Sequence, residues 1–142
     1  MVTRIVATAA ATLLLASGWL SAQDRHKWWT DEKVRREIGL TDDQAAKAEE
    51  IFHTSLPKLR GLKTELDGLE KKLSALISEN KADESVIAAK IDAVERARSE
   101  MSKTRMLMLY RIHRLLTNEQ HEKFKAIVDR QRARRRSGDH YR

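Results

Sequence analysis

Apolar residues recur at alternating spacings of three and four positions along two long stretches of the chain, residues 45–76 and 87–115. This spacing places the apolar side chains on one face of an α-helix. A row that continues over several heptads is typical of a helix lying along a partner helix. The pattern therefore predicts two long helices, over residues 42–78 and 84–113.

The sequence SENKADES lies between these helices and predicts a reversal of the chain. Asn80 favours the end of one helix and Asp83 the start of the next. Two long helices with so short a connection pack as an antiparallel hairpin. Pro57 lies inside the first helix and should bend it, because proline removes one helical hydrogen bond and clashes with the preceding turn.

Shorter helices are predicted on both sides of the hairpin. Thr30 is placed to cap a helix over residues 31–38, and Gly39 ends it. A fourth helix follows the hairpin, with Phe124 on its short apolar face. The predicted fold class is all-α, a long bent antiparallel helical hairpin with short flanking helices. Because a seam between two helices lacks a second layer to cover it, we also expect a homodimer.

The motif Leu-Thr-x-x-Gln occurs twice, as LTDDQ and as LTNEQ. In each copy the threonine is placed at an N-cap and the glutamine three positions later, which is the spacing of a capping box. Each side chain then satisfies a backbone N–H that the first helical turn leaves without a partner. The preceding leucine fits a hydrophobic staple. We interpret both copies as helix-start signals rather than as a partner-binding surface. Their residues are Leu40, Thr41, Gln44, Leu116, Thr117 and Gln120.

Residues 1–22 have the layout of a secretory signal peptide, with one basic residue, an apolar run, small residues near Ala22 and no acid. The apolar run is short for a membrane-spanning helix, which needs about 20 apolar residues. We expect cleavage after Ala22 and export to the periplasm. The rest of the chain then divides into a helical domain, residues 23–130, and a basic disordered tail, residues 131–142.

Composition narrows the class of function. The chain has no cysteine, which excludes a disulfide or a thiolate metal site. It has neither a glycine-rich phosphate loop nor a nucleophile elbow, and we expect no enzyme activity and no cofactor. The net charge of +7 favours acidic partner surfaces. For the run RQRARRR, predicted export makes an anionic membrane surface a better candidate than nucleic acid, and no nucleic-acid partner is expected.

Cationic residues interrupt the two apolar rows, and the sequence leaves two interpretations open. In one, the hairpin has an open basic and apolar face that holds an acidic unfolded chain by charge attraction and by flexible methionines. In the other, the cations lie along the edge of the seam and form salt bridges, for example with Glu70. The candidate client-binding residues are Leu59, Lys63, Leu66, Lys90, Arg98, Met101, Arg105 and Met108.

A metal site has a weaker basis in the sequence. His113 and His121 are predicted to end one helix and begin the next, so that they meet across a short linker. Zinc takes about four closely placed ligands. The chain has no His-x-x-x-His pair and no histidine-rich run. We therefore expect no dedicated metal site and keep this histidine pair as the alternative.

The two Leu-Thr-x-x-Gln motifs, on a cysteine-free helical chain with a predicted export signal, resemble the Spy/CpxP family of periplasmic proteins. The hairpin half, from ALISENKADES to NEQHEKF, is also similar to the related periplasmic heavy-metal resistance and metal-sensor proteins. The resemblance covers roughly residues 36–130.

This resemblance implies a thin, cradle-like dimer that binds unfolded or misfolded envelope proteins without ATP. Some relatives instead restrain an envelope-stress sensor kinase, and others bind zinc, nickel or cobalt. The expected function is thus an ATP-independent periplasmic chaperone or envelope-stress adaptor, with a periplasmic heavy-metal sensor or resistance protein as the alternative. The candidate partners are unfolded envelope proteins, a second copy of the chain, a sensor kinase and an anionic membrane surface.

Overall fold

The computed structural model describes residues 27–138, so residues 1–26, which include the predicted signal peptide, and residues 139–142 lie outside the described range. A 3-10 turn, Trp28–Thr30, precedes four helices: α1 (Glu32–Ile38), α2 (Asp42–Glu79), α3 (Glu84–His113) and α4 (Asn118–Gly138). The described residues contain no strand, and the predicted all-α fold class is confirmed. None of these helices combines the length and the apolar character needed to cross a membrane.

The two long helices pack against each other as the predicted hairpin. α2 has 38 residues and is about 57 Å long at about 1.5 Å per residue. Two apolar clusters lie along the hairpin. The larger contains Trp29, Ala48, Phe52, Leu59, Met108 and Ile112, and the smaller contains Leu66, Val94 and Ala97. The three-and-four spacing thus forms the seam within one chain.

Packing weakens toward the hairpin tip. No residue from 67 to 93 is buried, and Ile77, Val86 and Ile91 are 56%, 43% and 44% exposed. Among residues 27–138 each helix has only one partner helix here, so its apolar face is covered on one side alone. The larger cluster lies at the opposite end, where α1, α4 and the 3-10 turn add further contacts.

The helix ends at the tip follow the predictions. Asn80 caps the end of α2 in the left-handed conformation, with φ of 50°, which asparagine adopts more readily than most residues. Asp83 occupies the N-cap of α3, but its side chain makes no capping hydrogen bond. The reversal therefore depends on the backbone of Asn80 more than on the side chain of Asp83.

The cap of α1 differs from the prediction. Asp31, not Thr30, is the N-cap residue, and its carboxylate accepts bonds from two first-turn N–H groups at 2.9 and 3.1 Å. Thr30 belongs to the 3-10 turn, and its hydroxyl donates to the carbonyl of Lys27 at 2.8 Å. Gly39 ends the helix in the left-handed region, as predicted, with φ of 70°.

The 3-10 turn is anchored on α2. Trp29 is buried, and its ring lies 5.8 Å from that of Phe52. The indole Nε1 of Trp29 and the ammonium of Lys27 both donate to the Glu49 carboxylate at 2.7 Å. Burial raises the pKa of Glu49, but these hydrogen bonds outweigh it and leave the pKa below its ordinary value. The ionised Glu49 carboxylate therefore holds the 3-10 turn against α2.

α2 continues through Pro57 without interruption. In the preceding turn the hydroxyls of Thr54 and Ser55 donate to the carbonyls of Glu50 and Ile51, both at 2.8 Å. Hydroxyl bonds of this kind often accompany a bent helix, and proline displaces the turn before it. The two hydroxyl bonds lie next to Pro57, where the sequence predicts a bend.

α4 packs on α1 and continues further than predicted. Its Ile127 is buried with Val34, Ile38 and Leu116 in a third apolar cluster. The segment predicted as a disordered tail, residues 131–142, is helical as far as Gly138. That prediction is wrong for the described part of the segment. Glutamine, arginine and alanine are good helix formers, and no proline or glycine interrupts them before residue 138.

Candidate functional site

Both Leu-Thr-x-x-Gln motifs form complete capping boxes. At the start of α2, the Gln44 N–H donates to Thr41 Oγ1 at 3.1 Å and the Thr41 N–H donates to Gln44 Oε1 at 3.0 Å. At the start of α4, the corresponding bonds of Thr117 and Gln120 are 3.2 and 2.9 Å long. The predicted helix-start role of the two motifs is confirmed.

The two glutamines also bind each other, which the sequence did not reveal. The amide of Gln44 donates to Gln120 Oε1 at 2.8 Å, and the amide of Gln120 donates to Gln44 Oε1 at 3.0 Å. Each amide donates a second bond to a backbone carbonyl of the opposite segment, that of Leu115 at 2.7 Å and that of Gly39 at 2.8 Å. We call this arrangement the glutamine clasp. It joins helix starts that lie 76 positions apart.

A capping box needs only the residues of one motif, whereas the glutamine clasp needs a glutamine from each of the two motifs. Each glutamine oxygen accepts from its own threonine N–H and from the other glutamine, while each amide nitrogen uses both of its hydrogens. Gln120 is only 8% exposed, and a buried polar side chain is tolerated when its bonds are satisfied. The staple leucines, Leu40 and Leu116, pack on the cluster between α1 and α4. The motifs thus hold the end of the hairpin together.

Three of the predicted client-binding residues belong to the core. Leu59, Leu66 and Met108 are 3%, 5% and 3% exposed and lie in the hairpin seam. Their assignment to a client surface is wrong in this conformation, because the side chains contact the opposite helix. Periodicity shows that a helix has an apolar face, but it does not show what covers that face.

Two of the predicted cations form ion pairs at the edge of the seam. Lys63 pairs with Asp67 one turn away on α2. Arg98 of α3 reaches Glu70 of α2 at 2.7 Å and Glu95 at 2.6 Å. The hydrogen bond from Glu70 raises the pKa of Arg98 further above its ordinary value. For Lys63 and Arg98 the salt-bridge interpretation is therefore the correct one.

The other predicted client-binding residues are neither fully buried in the core nor exposed. Lys90, Met101 and Arg105 are half-buried along the seam. Met101 packs against both hairpin clusters, and Arg105 has an interaction partner of its own. As a set, the predicted client residues line the inside and the edges of the hairpin rather than an open face.

An exposed mixed surface lies instead on the side of α3 away from the seam. Helical spacing puts its members on one face at about 100° per residue, and all of them are exposed. Met106, Leu107 and Tyr110 are 64%, 44% and 58% exposed. The Arg114 guanidinium lies 6.0 Å from the centre of the Tyr110 ring. We call this surface the α3 stripe; it consists of Arg96, Ser99, Lys103, Met106, Leu107, Tyr110 and Arg114.

The sequence carries a signal for the α3 stripe. Met106, Leu107 and Tyr110 are apolar or aromatic but do not fit the row that contains Met108 and Ile112. Large apolar residues outside a helix seam mark a second face. None of the stripe residues is acidic, so the surface combines apolar area with positive charge.

The two predicted histidines do come together. The rings of His113 and His121 are 6.0 Å apart and nearly parallel, at 14°. Trp28 and Phe124 pack on His113, at 5.7 and 5.1 Å between ring centres. Burial lowers the pKa of His113, and a charge on His121 lowers it further. His113 therefore favours its neutral form.

The histidine pair does not fit a metal ion in the arrangement observed. The stacked rings supply two imidazoles, whereas zinc takes about four closely placed ligands. Across residues 27–138 no group of three or more histidine, aspartate or glutamate side chains is gathered to hold a metal.

Comparison with known proteins agrees with the resemblance drawn from the motifs and the hairpin. A family model described as heavy-metal resistance matches residues 4–113, which is most of the chain. The matched span ends with α3, so α4 lies beyond it. No curated protein and no solved structure matches the chain. The chain belongs to the heavy-metal resistance family.

Proposed function

We propose that this protein is an ATP-independent chaperone that holds unfolded or misfolded polypeptides on the α3 stripe. The observation that carries the proposal is the exposure of Met106, Leu107 and Tyr110 together on one face of α3. Large apolar side chains grouped on a surface, with polar residues around them, typically mark an interaction site.

The chemistry of the stripe selects the kind of partner. Lys103 and Arg114 flank the apolar group and attract carboxylates, while the flexible Met106 adapts to varied apolar side chains. The preferred client is therefore an unfolded segment that mixes acidic and apolar residues. A second copy of this face would bring cations against cations, and the whole chain carries a net charge of +7.

An aggregation assay tests this proposal. An acidic client protein is diluted from denaturant without nucleotide, and light scattering is followed with and without the chaperone. We expect the wild-type protein to slow aggregation and the triple variant Met106→Gln, Leu107→Gln, Tyr110→Gln to lose most of this effect. The matched control replaces three exposed apolar residues at the hairpin tip, Ile77→Gln, Val86→Gln and Ile91→Gln, and should retain it.

Two results would overturn the assignment of the stripe. One is equal protection by the wild-type protein and the stripe variant. The other is a halved molar mass of the stripe variant in light scattering, which would make the stripe a subunit interface. Both variants should unfold cooperatively at the wild-type denaturant midpoint, because the replaced side chains are exposed.

The proposal includes export to the periplasm, action as a homodimer and a role in envelope stress. Export is supported by the layout of residues 1–22. The N-terminal sequence of the periplasmic protein should begin at Gln23, and retention of Met1 would contradict cleavage. The sensor-kinase partner stays a prediction from the resemblance.

A second candidate function is heavy-metal resistance through direct metal binding, and the family match favours it. His113 and His121, whose rings lie 6.0 Å apart, are the residues to test. Calorimetric titration with zinc, nickel or cobalt separates the two functions. Stoichiometric binding that is lost in the variant His113→Ala, His121→Ala would support the metal function over the chaperone.

A further inference from the structure

α4 consists of two parts with different surroundings. As far as Val128 it packs on α1, with Ile127 buried and Phe124 half-buried. From Asp129 to Ser137 every side chain is exposed. The second part of the helix therefore extends away from the body of the protein.

The extending part is strongly basic. Its arginines, which we call the arginine segment, are Arg130, Arg132, Arg134, Arg135 and Arg136. Arg130 pairs with Glu37 of α1, which tethers the base of the segment. Within residues 27–138 the other four have no recorded ion pair, and Asp129 is the single acid between residues 129 and 137. Most of this charge is not neutralised within the described chain.

Helix geometry spreads the arginines around the axis. At about 100° per residue, Arg132 and Arg136 lie on one side, Arg130 and Arg134 on another, and Arg135 between them. Like charges four positions apart repel and destabilise a helix, so a ligand that neutralises them also stabilises the segment. No apolar face is left for insertion between acyl chains. Binding must therefore occur by charge at a surface.

We infer that the arginine segment docks this protein on an anionic membrane surface. Guanidinium groups bind phosphate oxygens in pairs of hydrogen bonds, and lipid headgroups offer many phosphates in one plane to a segment about 9 Å long. Residues 129–137 contain no aromatic side chain to stack on a nucleic-acid base. This contact is separate from the α3 stripe, and it leaves the stripe free.

Vesicle co-sedimentation of the full chain tests the inference. The probe vesicles are phosphatidylcholine alone and phosphatidylcholine mixed with phosphatidylglycerol. Each arginine near an anionic surface contributes about fivefold to binding. The variant Arg132→Gln, Arg134→Gln, Arg135→Gln, Arg136→Gln should therefore bind the mixed vesicles roughly several hundredfold more weakly. The wild-type protein should bind the mixed vesicles and not the neutral ones.

The matched control removes the same charge elsewhere, at four exposed lysines that form no ion pair with another described residue: Lys33→Gln, Lys71→Gln, Lys72→Gln and Lys81→Gln. This variant should bind the mixed vesicles to within about tenfold of wild type, since its lysines lie outside the segment. Equal loss in both variants would reduce the effect to net charge and overturn the inference. So would tighter binding of a double-stranded oligonucleotide than of vesicles at equal phosphate concentration. Client protection should be equal in the arginine variant and the lysine variant, which carry the same net charge, and this comparison separates the test from that of the chaperone function.

Discussion

The glutamine clasp shows how two residues can decide the position of whole helices. Gln44 and Gln120 each satisfy a local cap and a distant partner with the same amide group. In water these bonds would be exchanged for bonds to solvent, so each contributes modestly. Inside the protein, loss of one partner leaves buried groups unsatisfied, and that is costly.

A double-mutant cycle measures this coupling. We expect Gln120→Ala to lower the free energy of unfolding by about 1–3 kcal/mol, because it strands the Gly39 carbonyl and the Gln44 amide. Gln44→Ala should cost less, since Gln44 is only half-buried. The double variant should cost less than the sum of the two, by about 1 kcal/mol.

Urea denaturation of the four proteins provides the measurement. The exposed Gln131→Ala in α4 is the control and should change stability by less than about 0.5 kcal/mol. Strictly additive costs for Gln44 and Gln120 would show that the two side chains act only as separate caps.

His113 should make stability depend on pH. Burial, and the neighbouring His121, lower its pKa below 6.5, so the unfolded chain takes up a proton at a higher pH than the folded chain. The free energy of unfolding then has its full value above about pH 6.5. It declines as the pH falls toward the lower pKa that His113 has in the folded chain. Glu49, whose pKa lies below its ordinary 4.5, affects stability only at lower pH.

Thermal unfolding between pH 7 and pH 5 tests this prediction. Replacement by His113→Gln should flatten the decline, because the variant has no imidazole to protonate at this position. The exposed His53→Gln serves as the comparison and should preserve the decline. An unchanged slope in the His113 variant would assign the pH dependence to other groups.

At the scale of elements, the hairpin is most tightly packed at its open end. The larger apolar cluster gathers residues from the 3-10 turn, α2 and α3. Toward the tip, within the part of the chain that the structure describes, the two helices pack only on each other. The stability of α2 near the tip therefore depends more on its own helix propensity than it does at the open end.

Two glycines in α2 test how strongly the stability of this helix depends on its helix propensity. Gly61 and Gly68 lie inside the helix, and a Cβ built at either meets nothing within 4 Å. Gly61→Ala and Gly68→Ala should each raise the free energy of unfolding by about 0.5–1 kcal/mol, because alanine loses less backbone entropy on folding.

Gly39→Ala provides the opposite case. The space around Gly39 is equally open, but its φ of +70° disfavours any side chain. We expect a loss of about 1–2 kcal/mol. If all three substitutions changed stability in the same direction, the backbone explanation would be incorrect.

At the scale of the whole molecule, charge should govern which clients are held. The positive net charge, +7 for the whole chain, attracts acidic chains from a distance, whereas the apolar part of the α3 stripe acts only on contact. Raising the ionic strength from about 0.01 M to about 1 M shortens the Debye length from about 30 Å to about 3 Å. Protection of an acidic client should therefore fall with salt.

Light-scattering assays with an acidic and a basic client of similar aggregation rate test this expectation. At low salt the acidic client should be protected at a lower chaperone concentration, and at high salt the difference should largely disappear. Salt-independent preference for the acidic client would assign selectivity to short-range contacts instead.

The sequence by itself determined the helices and most of their ends. Caps act over three or four residues, so Thr41 and Thr117 could be placed from the letters around them. The same holds for the turn at Asn80. The apolar rows also required each long helix to lie along another. These features are local, or repeat along one helix, and need no knowledge of the distant chain.

Only the tertiary structure decided what each face contacts. Leu66 was consistent with a core or with an open surface until α3 was seen to cover it. Tyr110 was one aromatic residue outside the row until its face was found exposed. Gln44 and Gln120 meet because the hairpin of α2 and α3 returns the chain to its start. Contacts between distant residues follow from how the helices are rotated and joined, and the spacing within a single helix does not contain that information.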